Sequence, residues 1–130
     1  MEDKNQVIYP VESYYILGLC YFLQNELGSG QNERQYCDGL ELLFRRDGKE
    51  YEREYEIKIP IAGGEIGGNR IDFLFEKKIL LDAKSKKYIT REDYLQMIRY
   101  LEASGMKLGI VVNFRGEKVT HKRVVNNKIP

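Results

Sequence analysis

The sequence predicts an α/β fold in which a mixed β-sheet is flanked by helices. Two segments with helical hydrophobic spacing come first, and from Tyr51 onwards the hydrophobic period changes to two. Three strand patterns, a third helix pattern and two more strand patterns follow in that order. This order predicts helices packed on a mixed sheet. Because the chain of 130 residues contains no linker and no internal repeat, we expect one domain over residues 1–130.

Two helices are predicted before the sheet. Val11–Leu27 is apolar almost all round, which predicts a helix that lies between other elements, and Gly28–Gly30 ends it. Asn32–Arg46 carries a hydrophobic stripe at helical spacing, which predicts a second helix that ends at Asp47–Gly48. The stripe consists of Tyr36, Leu40, Leu43 and Phe44.

Three consecutive strands should form a meander. Apolar and charged residues alternate along Tyr51–Ile61, which predicts a strand with one solvated face. The two glycine pairs within residues 63–68 are expected in the turn to the second strand, Arg70–Glu76. Lys77–Lys78 then makes a tight connection to a third strand, Ile79–Lys84, whose apolar run predicts burial.

A third helix and two further strands complete the predicted fold. Thr90 is a suitable N-cap because acidic residues follow in the first turn, and Gly105 should end this helix. Leu108–Phe114 has the composition of an apolar strand, and a last short strand is predicted at Val119–Val125.

The bulk properties indicate a soluble cytoplasmic protein. Its formal charge of +1 is close to balance, so the overall charge does not argue for a nucleic-acid partner. Cys20 and Cys37 lack metal-type spacing and are expected to be buried free thiols, which suits a reducing cytoplasm. Residues 1–6 do not resemble a signal peptide, and the longest apolar run, Tyr14–Leu23, is too short to span a bilayer.

The most informative feature is the charged end of the third predicted strand. Asp82 follows an apolar run, and Lys84 lies on the same face of the strand two positions later. An isolated buried carboxylate is costly, so Asp82 requires a cation or a metal as its partner. One interpretation is a structural Asp82–Lys84 ion pair. The other is a metal site for phosphodiester cleavage, since Asp72 lies in a similar setting on the preceding strand.

A metal site at this position would use the oxygen ligands that magnesium prefers. Asp72 and Asp82 would supply carboxylates, and Ala83 would supply its backbone carbonyl. Lys84 would orient the attacking water or stabilise charge that develops on the phosphate.

Two polar features on the predicted helices are open to more than one interpretation. Glu33 lies in the first turn of the second helix, where an acid complements the helix dipole and needs no catalytic explanation. Gln96 and Tyr100 are four residues apart on one face of the third helix. This pair would contact a phosphate backbone or a base, or it would form an ordinary solvated flank.

Two basic clusters are candidate phosphate contacts. The first lies directly beyond the third strand and would suit contacts that position a nucleic acid without reading its sequence. It consists of Lys84, Lys86, Lys87 and Arg91. The second, residues 121–123 with Arg115, is equally well explained as solvated surface charge, and His121 is expected at the surface.

Together these segments resemble a known protein family. Gly30, Glu33 and Tyr36 form the naming motif of the GxxExxY proteins, which are placed in the PD-(D/E)XK nuclease superfamily. The resemblance covers roughly residues 12–126. It continues through Glu54, Asp72, Asp82–Lys84, Gln96, Tyr100, Leu108–Phe114 and Lys122–Val125. The chain departs from the family pattern at Asp82, where glutamate is more frequent, and in residues 24–28, where a histidine is common.

The resemblance implies a PD-(D/E)XK nuclease-like core with the order αβββαβ and an extra N-terminal helix. It implies that Glu33, Asp72 and Asp82 are the acidic metal-site positions, with Ala83 as the further ligand. Lys84 becomes the catalytic lysine.

The same resemblance implies a function. Gln96 and Tyr100 would help to place the substrate, while Glu54 has either a site role or a structural one. The implied activity is Mg²⁺- or Mn²⁺-dependent hydrolysis of DNA, and many superfamily members act as homodimers. The alternative is a weakly active or inactive nuclease-fold module that binds nucleic acid or a protein partner. The departures from the family pattern motivate this alternative.

Overall fold

The structure, a computed structural model that describes residues 7–129, is a five-stranded sheet with helices on both faces. Its elements in chain order are α1 (Pro10–Leu27), α2 (Glu33–Arg46), β1 (Tyr51–Ile61), β2 (Gly64–Phe75), β3 (Ile79–Lys84), α3 (Arg91–Ser104), β4 (Leu108–Asn113) and β5 (Thr120–Val125). The predicted α/β class and element order are confirmed. The prediction about a signal peptide concerns residues 1–6, which lie outside the described residues.

The sheet is mixed because α3 connects β3 to β4 as a crossover, so that these two neighbouring strands run parallel. The spatial order is β1-β2-β3-β4-β5, and only the β3–β4 pair is parallel in this sheet of described residues. A parallel pair needs a crossover connection, which α3 provides. The predicted β1–β2–β3 meander is confirmed, and β3 occupies the centre of the sheet.

Two hydrophobic clusters lie on opposite faces of the sheet. Leu81 and Ala83 of β3 belong to the cluster under α1 and α2, whereas Leu80 belongs to the cluster under α3. Since side chains alternate along a strand, Asp82 and Lys84 lie on the same face as Leu80. The charged end of β3 is therefore on the α3 side of the sheet.

Helix α1 is covered on one side only. Tyr14 is 84% exposed and Val11 is 77% exposed, so the prediction that this helix lies between other elements was wrong. Its inner face is anchored by Gln24, which is buried and donates a hydrogen bond to the Phe114 carbonyl at 2.7 Å. No helix in residues 7–129 is long and apolar enough to cross a bilayer.

The second strand begins six residues earlier than predicted. Residues 62–63 form the turn, and β2 starts at Gly64 instead of Arg70. Gly67 and Gly68 lie inside β2, opposite the point where the β1 register shifts between Ile57 and Ile59. Gly68 has a φ of 93°, which glycine adopts at little cost, so this glycine pair forms a β-bulge and not the predicted turn.

Both ends of α3 are fixed by hydrogen bonds. Thr90 is the N-cap, as predicted: its side chain accepts from the Asp93 N–H at 3.2 Å, and the Asp93 carboxylate accepts from the Thr90 N–H at 2.8 Å. At the other end, the buried Asn126 amide donates to the carbonyls of Leu101 and Met106, each at 3.1 Å. Asn126 therefore joins the end of α3 to the end of β5.

We expect Asn126→Ala to destabilise the fold. The change removes one donor from each carbonyl, although Leu101 still accepts from the Gly105 N–H, and a buried polar group that loses its partner costs about 1–3 kcal/mol. The free energy of unfolding in urea should fall by about 2 kcal/mol. Asn127→Ala is the matched control, because its exposed neighbouring side chain should change stability by less than about 0.5 kcal/mol. Equal effects of the two substitutions would contradict this role of Asn126.

Candidate active site

The site lies where β2 and β3 separate beyond Phe73 and Leu81, and we call this gap between the strands the opening. The paired positions run from Phe75 and Ile79 to Phe73 and Leu81. At the next position the Asp72 carboxylate accepts a hydrogen bond from the Ala83 N–H at 2.7 Å. A side chain thus replaces the backbone partner that a continuing ladder would supply. The opening brings Asp72 and Asp82 face to face.

Burial and a neighbouring carboxylate both raise the pKa of Asp72. Burial raises the pKa of Asp72, and the charge of Asp82 and a hydrogen bond with Asp82 raise it further, to about 7. Glu33 adds a smaller repulsion, while the hydrogen bond from Ala83 acts in the opposite sense. Two carboxylates in such contact share a proton when no cation compensates them.

Asp82 and Lys84 form the ion pair that the first interpretation expected. The Lys84 Nζ lies 3.0 Å from Asp82 Oδ2, and the two side chains are 18% and 19% exposed. Asp93 lies 4.0 Å from the same Nζ. Burial alone would lower the pKa of Lys84, but the attraction of Asp82 and Asp93 outweighs it and holds the pKa above its ordinary value. Lys84 is therefore a firmly protonated ammonium group.

Glu33 reaches the same opening from α2. It is the first residue of that helix, and the helix start is fixed by a capping box between Asn32 and Gln35. Its carboxylate accepts a hydrogen bond from the Ser85 N–H at 3.3 Å. It also acts electrostatically on Asp72 and Lys84. The structure therefore brings Glu33 close to the predicted site residues of β2 and β3.

Tyr36 holds the loop that precedes Glu33. Its buried ring stacks on Phe114 with centroids 4.1 Å apart. Its hydroxyl donates to the Gly28 carbonyl and accepts from the Gln31 N–H. Ser85 Oγ completes the connection by donating to the Gln31 carbonyl at 2.7 Å. The loop before α2 is thus joined to the end of β3.

Two residues that the sequence analysis missed support the loop after β3. Asp93 is 9% exposed and lies 2.6 Å from Lys86 Nζ. Burial would raise the pKa of Asp93, but hydrogen bonds from Lys86 and Thr90 keep it below its ordinary value. Asn113 is buried and exchanges hydrogen bonds with the backbone of Lys86. The signal for Asp93 was its place in the Thr90–Asp93 capping box, whereas Asn113 showed only as a polar residue that ends an apolar strand.

The predicted substrate contacts lie at different depths. Tyr100 is only 8% exposed, so the interpretation of the Gln96–Tyr100 pair as a solvated flank was wrong for the tyrosine. Burial raises the pKa of Tyr100, and the charge of Asp82 raises it further. Gln96 is half-buried one turn earlier. Lys87 and Arg91 are exposed.

A cavity of about 740 Å³ lies between α2 and the first two strands, beside Asp72. Its lining is Glu33, Arg34, Cys37, Asp38, Glu41, Arg53, Glu54 and Asp72. Both cysteines are buried free thiols, as predicted, and burial raises the pKa of Cys37 next to Asp72. Glu54 is exposed on the cavity wall.

The donor chemistry of the opening fits a hard divalent cation. Within residues 7–129, no three His, Cys, Asp or Glu side chains stand together as a finished ligand cluster. However, Asp72 and Asp82 present hydrogen-bonded carboxylates, and Glu33 adds a third nearby. Oxygen donors of this kind suit Mg²⁺ and Mn²⁺. A cation would replace the proton that the Asp72–Asp82 pair otherwise retains.

Comparison with solved structures finds similar folds, of which two are given as examples. The structure titled SSO0001 has a TM-score of 0.56 and 20% identity, over 88% of this chain and 58% of that chain. The alkaline exonuclease LHK-Exo from Laribacter hongkongensis has a TM-score of 0.53 and 12% identity, over 95% of this chain and 73% of that chain. At these identities the likeness concerns the fold alone. No curated protein sequence matches the chain.

A family comparison covers most of the sequence. The model of the PD-(D/E)XK nuclease superfamily matches residues 11–124, which extend from α1 to β5. This range contains the acids of β2 and β3 and the lysine that follows them. The GxxExxY resemblance is compatible with the match. The chain belongs to the PD-(D/E)XK nuclease superfamily.

Proposed function

We propose that this protein is a nuclease that hydrolyses phosphodiester bonds of DNA with Mg²⁺ or Mn²⁺. The observation that carries the proposal is the facing pair of carboxylates, Asp72 and Asp82, beside the ammonium group of Lys84. Membership of the superfamily supports a nuclease, and nucleases of this superfamily generally use divalent metal ions. The hard oxygen donors favour magnesium or manganese among those ions.

The acids of the opening would hold the ion. Asp72 and Asp82 are its proposed carboxylate ligands, with Glu33 and the Ala83 carbonyl as further oxygen donors. When bound, a divalent ion supplies Lewis-acid polarisation of the phosphate.

Lys84 has a distinct proposed role. Because its pKa lies above the ordinary value, the side chain stays protonated at neutral pH and is a poor proton acceptor. An ammonium group in this position donates hydrogen bonds to an attacking water and stabilises negative charge on the phosphate. Lys84 is thus proposed as an electrostatic stabiliser and not as a general base.

The other predicted contacts divide into two groups. Tyr100, on whose pKa the charge of Asp82 acts, and Gln96, one turn earlier on α3, are proposed to place the substrate. Lys87 and Arg91 are exposed and available to phosphates. Lys86 is bound to Asp93, so we propose that it mainly supports the loop after β3.

Substitution of the acid and the lysine tests the proposed chemistry. Asp82→Asn and Lys84→Gln should each reduce metal-dependent DNA cleavage by at least about a hundredfold, because each removes a charge that acts in the transition state. Cleavage of single-stranded DNA, duplex DNA and RNA is followed on gels with Mg²⁺ or Mn²⁺. Lys107→Gln, an exposed lysine before β4, is the matched control and should retain activity.

The outcomes distinguish the proposal from its alternative. Metal-dependent cleavage that survives both substitutions in folded protein would show that another enzyme is responsible. Nucleic-acid binding by the wild type without any turnover would instead identify a non-catalytic nuclease-fold module. Cleavage of RNA alone would overturn DNA as the substrate while leaving the site in place.

The half-buried Asp72 carboxyl predicts a pH-dependent stability. Its pKa is about 7 in the folded protein against an ordinary value of 3.8. The folded state therefore binds more protons than the unfolded state between these values, so the free energy of unfolding falls as the pH rises from about 4 to about 7. Asp72→Asn should remove this decline and be more stable than the wild type at about pH 8. Urea unfolding across the pH range measures the difference.

Metal addition provides the second half of this test. Mg²⁺ or Mn²⁺ must displace the shared proton, so it should raise the melting temperature of the wild type more at about pH 8 than at about pH 5. The Asp72→Asn protein should show little shift at either pH. Parallel stability curves for the two proteins would contradict the proposed environment of Asp72.

A further inference from the structure

A second cavity lies between the start of α3 and the last strand. Its volume is about 470 Å³, and we call it the β5 cleft. Its lining is Ile89, Thr90, Arg91, Tyr94, His121, Lys122 and Arg123. Every charged residue in this lining is basic, whereas the cavity beside Asp72 contains five acids. The cleft is therefore a local concentration of positive charge on a protein with a net charge of only +1.

The sheet register places the β5 cleft on the same face as Asp82. Asp82 is paired with Val111 on β4, and Val111 is paired with Lys122 on β5. Paired residues point to the same side of a sheet, so Lys122 lies two strands from Asp82 in one row. Two strand spacings amount to about 10 Å. The Lys122 Nζ lies 5.6 Å from the centre of the Tyr94 ring on α3, which confirms this orientation.

Arg91 and Lys122 are the residues in the cleft best placed to bind a ligand. Both are exposed, and they approach the cavity from different elements, α3 and β5. Lys122 contacts an aromatic ring, and among residues 7–129 no acidic side chain forms a salt bridge with its ammonium group. Arg123 is engaged elsewhere, because its guanidinium donates to the Ile8 carbonyl.

We propose that the β5 cleft binds a backbone phosphate of the nucleic-acid strand whose scissile phosphate lies at Asp72 and Asp82. This inference rests on the proposed function for the identity of the ligand. Each nucleotide of a strand advances by at least about 3.4 Å, so a separation of about 10 Å corresponds to at most about three nucleotides. Arg91 and Lys122 would fix the course of the strand across β4 without reading its bases. The position of Lys122 in one row with Asp82 favours a nucleic acid over an acidic peptide.

Binding measured in EDTA tests the β5 cleft independently of cleavage. The probe is a fluorescein-labelled DNA oligonucleotide, single-stranded or duplex, and its anisotropy is titrated with the full chain at several NaCl concentrations. The double variant Arg91→Gln/Lys122→Gln should bind several-fold more weakly. Its plot of log affinity against log salt should be shallower by about 0.7–0.9, which is the contribution of the one phosphate that the cleft would no longer bind.

Two further variants keep the test decisive. Lys58→Gln/Lys107→Gln removes the same charge from exposed positions on β1 and before β4, and its salt slope should stay close to that of the wild type. Arg91→Lys/Lys122→Arg keeps both charges and should retain most of the binding, which separates the loss of charge from misfolding.

The outcomes separate this inference from the proposed function. Equal weakening by the two charge-removing double variants would overturn the β5 cleft as a phosphate site, even if the wild type cleaves DNA. A selective effect of Arg91→Gln/Lys122→Gln supports it. If that selective effect occurs in a protein that never cleaves, the cleft stands as a nucleic-acid contact and the proposed hydrolysis fails.

Discussion

The hydrogen bond from the Ala83 N–H to the Asp72 carboxylate takes the place of a backbone bond between β2 and β3. A buried N–H that loses its partner costs about 1–3 kcal/mol, so strands that part inside a protein need a substitute acceptor. The Asp72 carboxylate supplies this acceptor and is half-buried in that position. The β3 strand stays ordered because its other edge is paired with β4 as far as Lys84 and Asn113. The opening that brings Asp72 and Asp82 together is therefore compatible with a well-packed central strand.

The two interpretations of Asp82 are complementary in this structure. Lys84 matches the charge of Asp82, and Lys86 matches that of Asp93, which leaves Asp72 and Glu33 as the excess acids of the site. Excess negative charge in a partly buried site is relieved by a proton or by a cation. The raised pKa of Asp72 means that a proton can relieve this charge, and a bound divalent ion would relieve it in place of the proton. The ion pair keeps Lys84 protonated and holds it at the opening. Asp82 and Lys84 can therefore form a structural contact and also take part in the proposed chemistry.

Much of this arrangement was predictable because it follows from local patterns. The change of hydrophobic period located the strands, and a meander necessarily brings Asp72 and Asp82 to neighbouring strands. The exposure of Tyr14 was not predictable, since an all-round apolar helix does not indicate which side the sheet will cover. Gly67 and Gly68 were assigned to a turn because turns and bulges both favour glycine. The support given by Asn113 depends on how a loop 27 residues away folds back onto β4, which no local pattern reports.

The three positions of the GxxExxY motif contribute in different ways to one junction. Tyr36 is wholly buried, and its ring and hydroxyl organise the loop before α2. Glu33 carries the carboxylate, and its contact with Ser85 ties it to the end of β3. At Gly30 a Cβ would meet nothing within 4 Å, so packing does not explain this glycine. Gly30 instead borders a cavity of about 630 Å³ that also contains Glu33 and Ser85, where the absence of a side chain leaves the approach to the carboxylate open. The motif is compact in sequence because one loop both anchors helix α2 and places the Glu33 carboxylate beside the end of β3. Glu33 and its partner Ser85 are 52 residues apart in the chain.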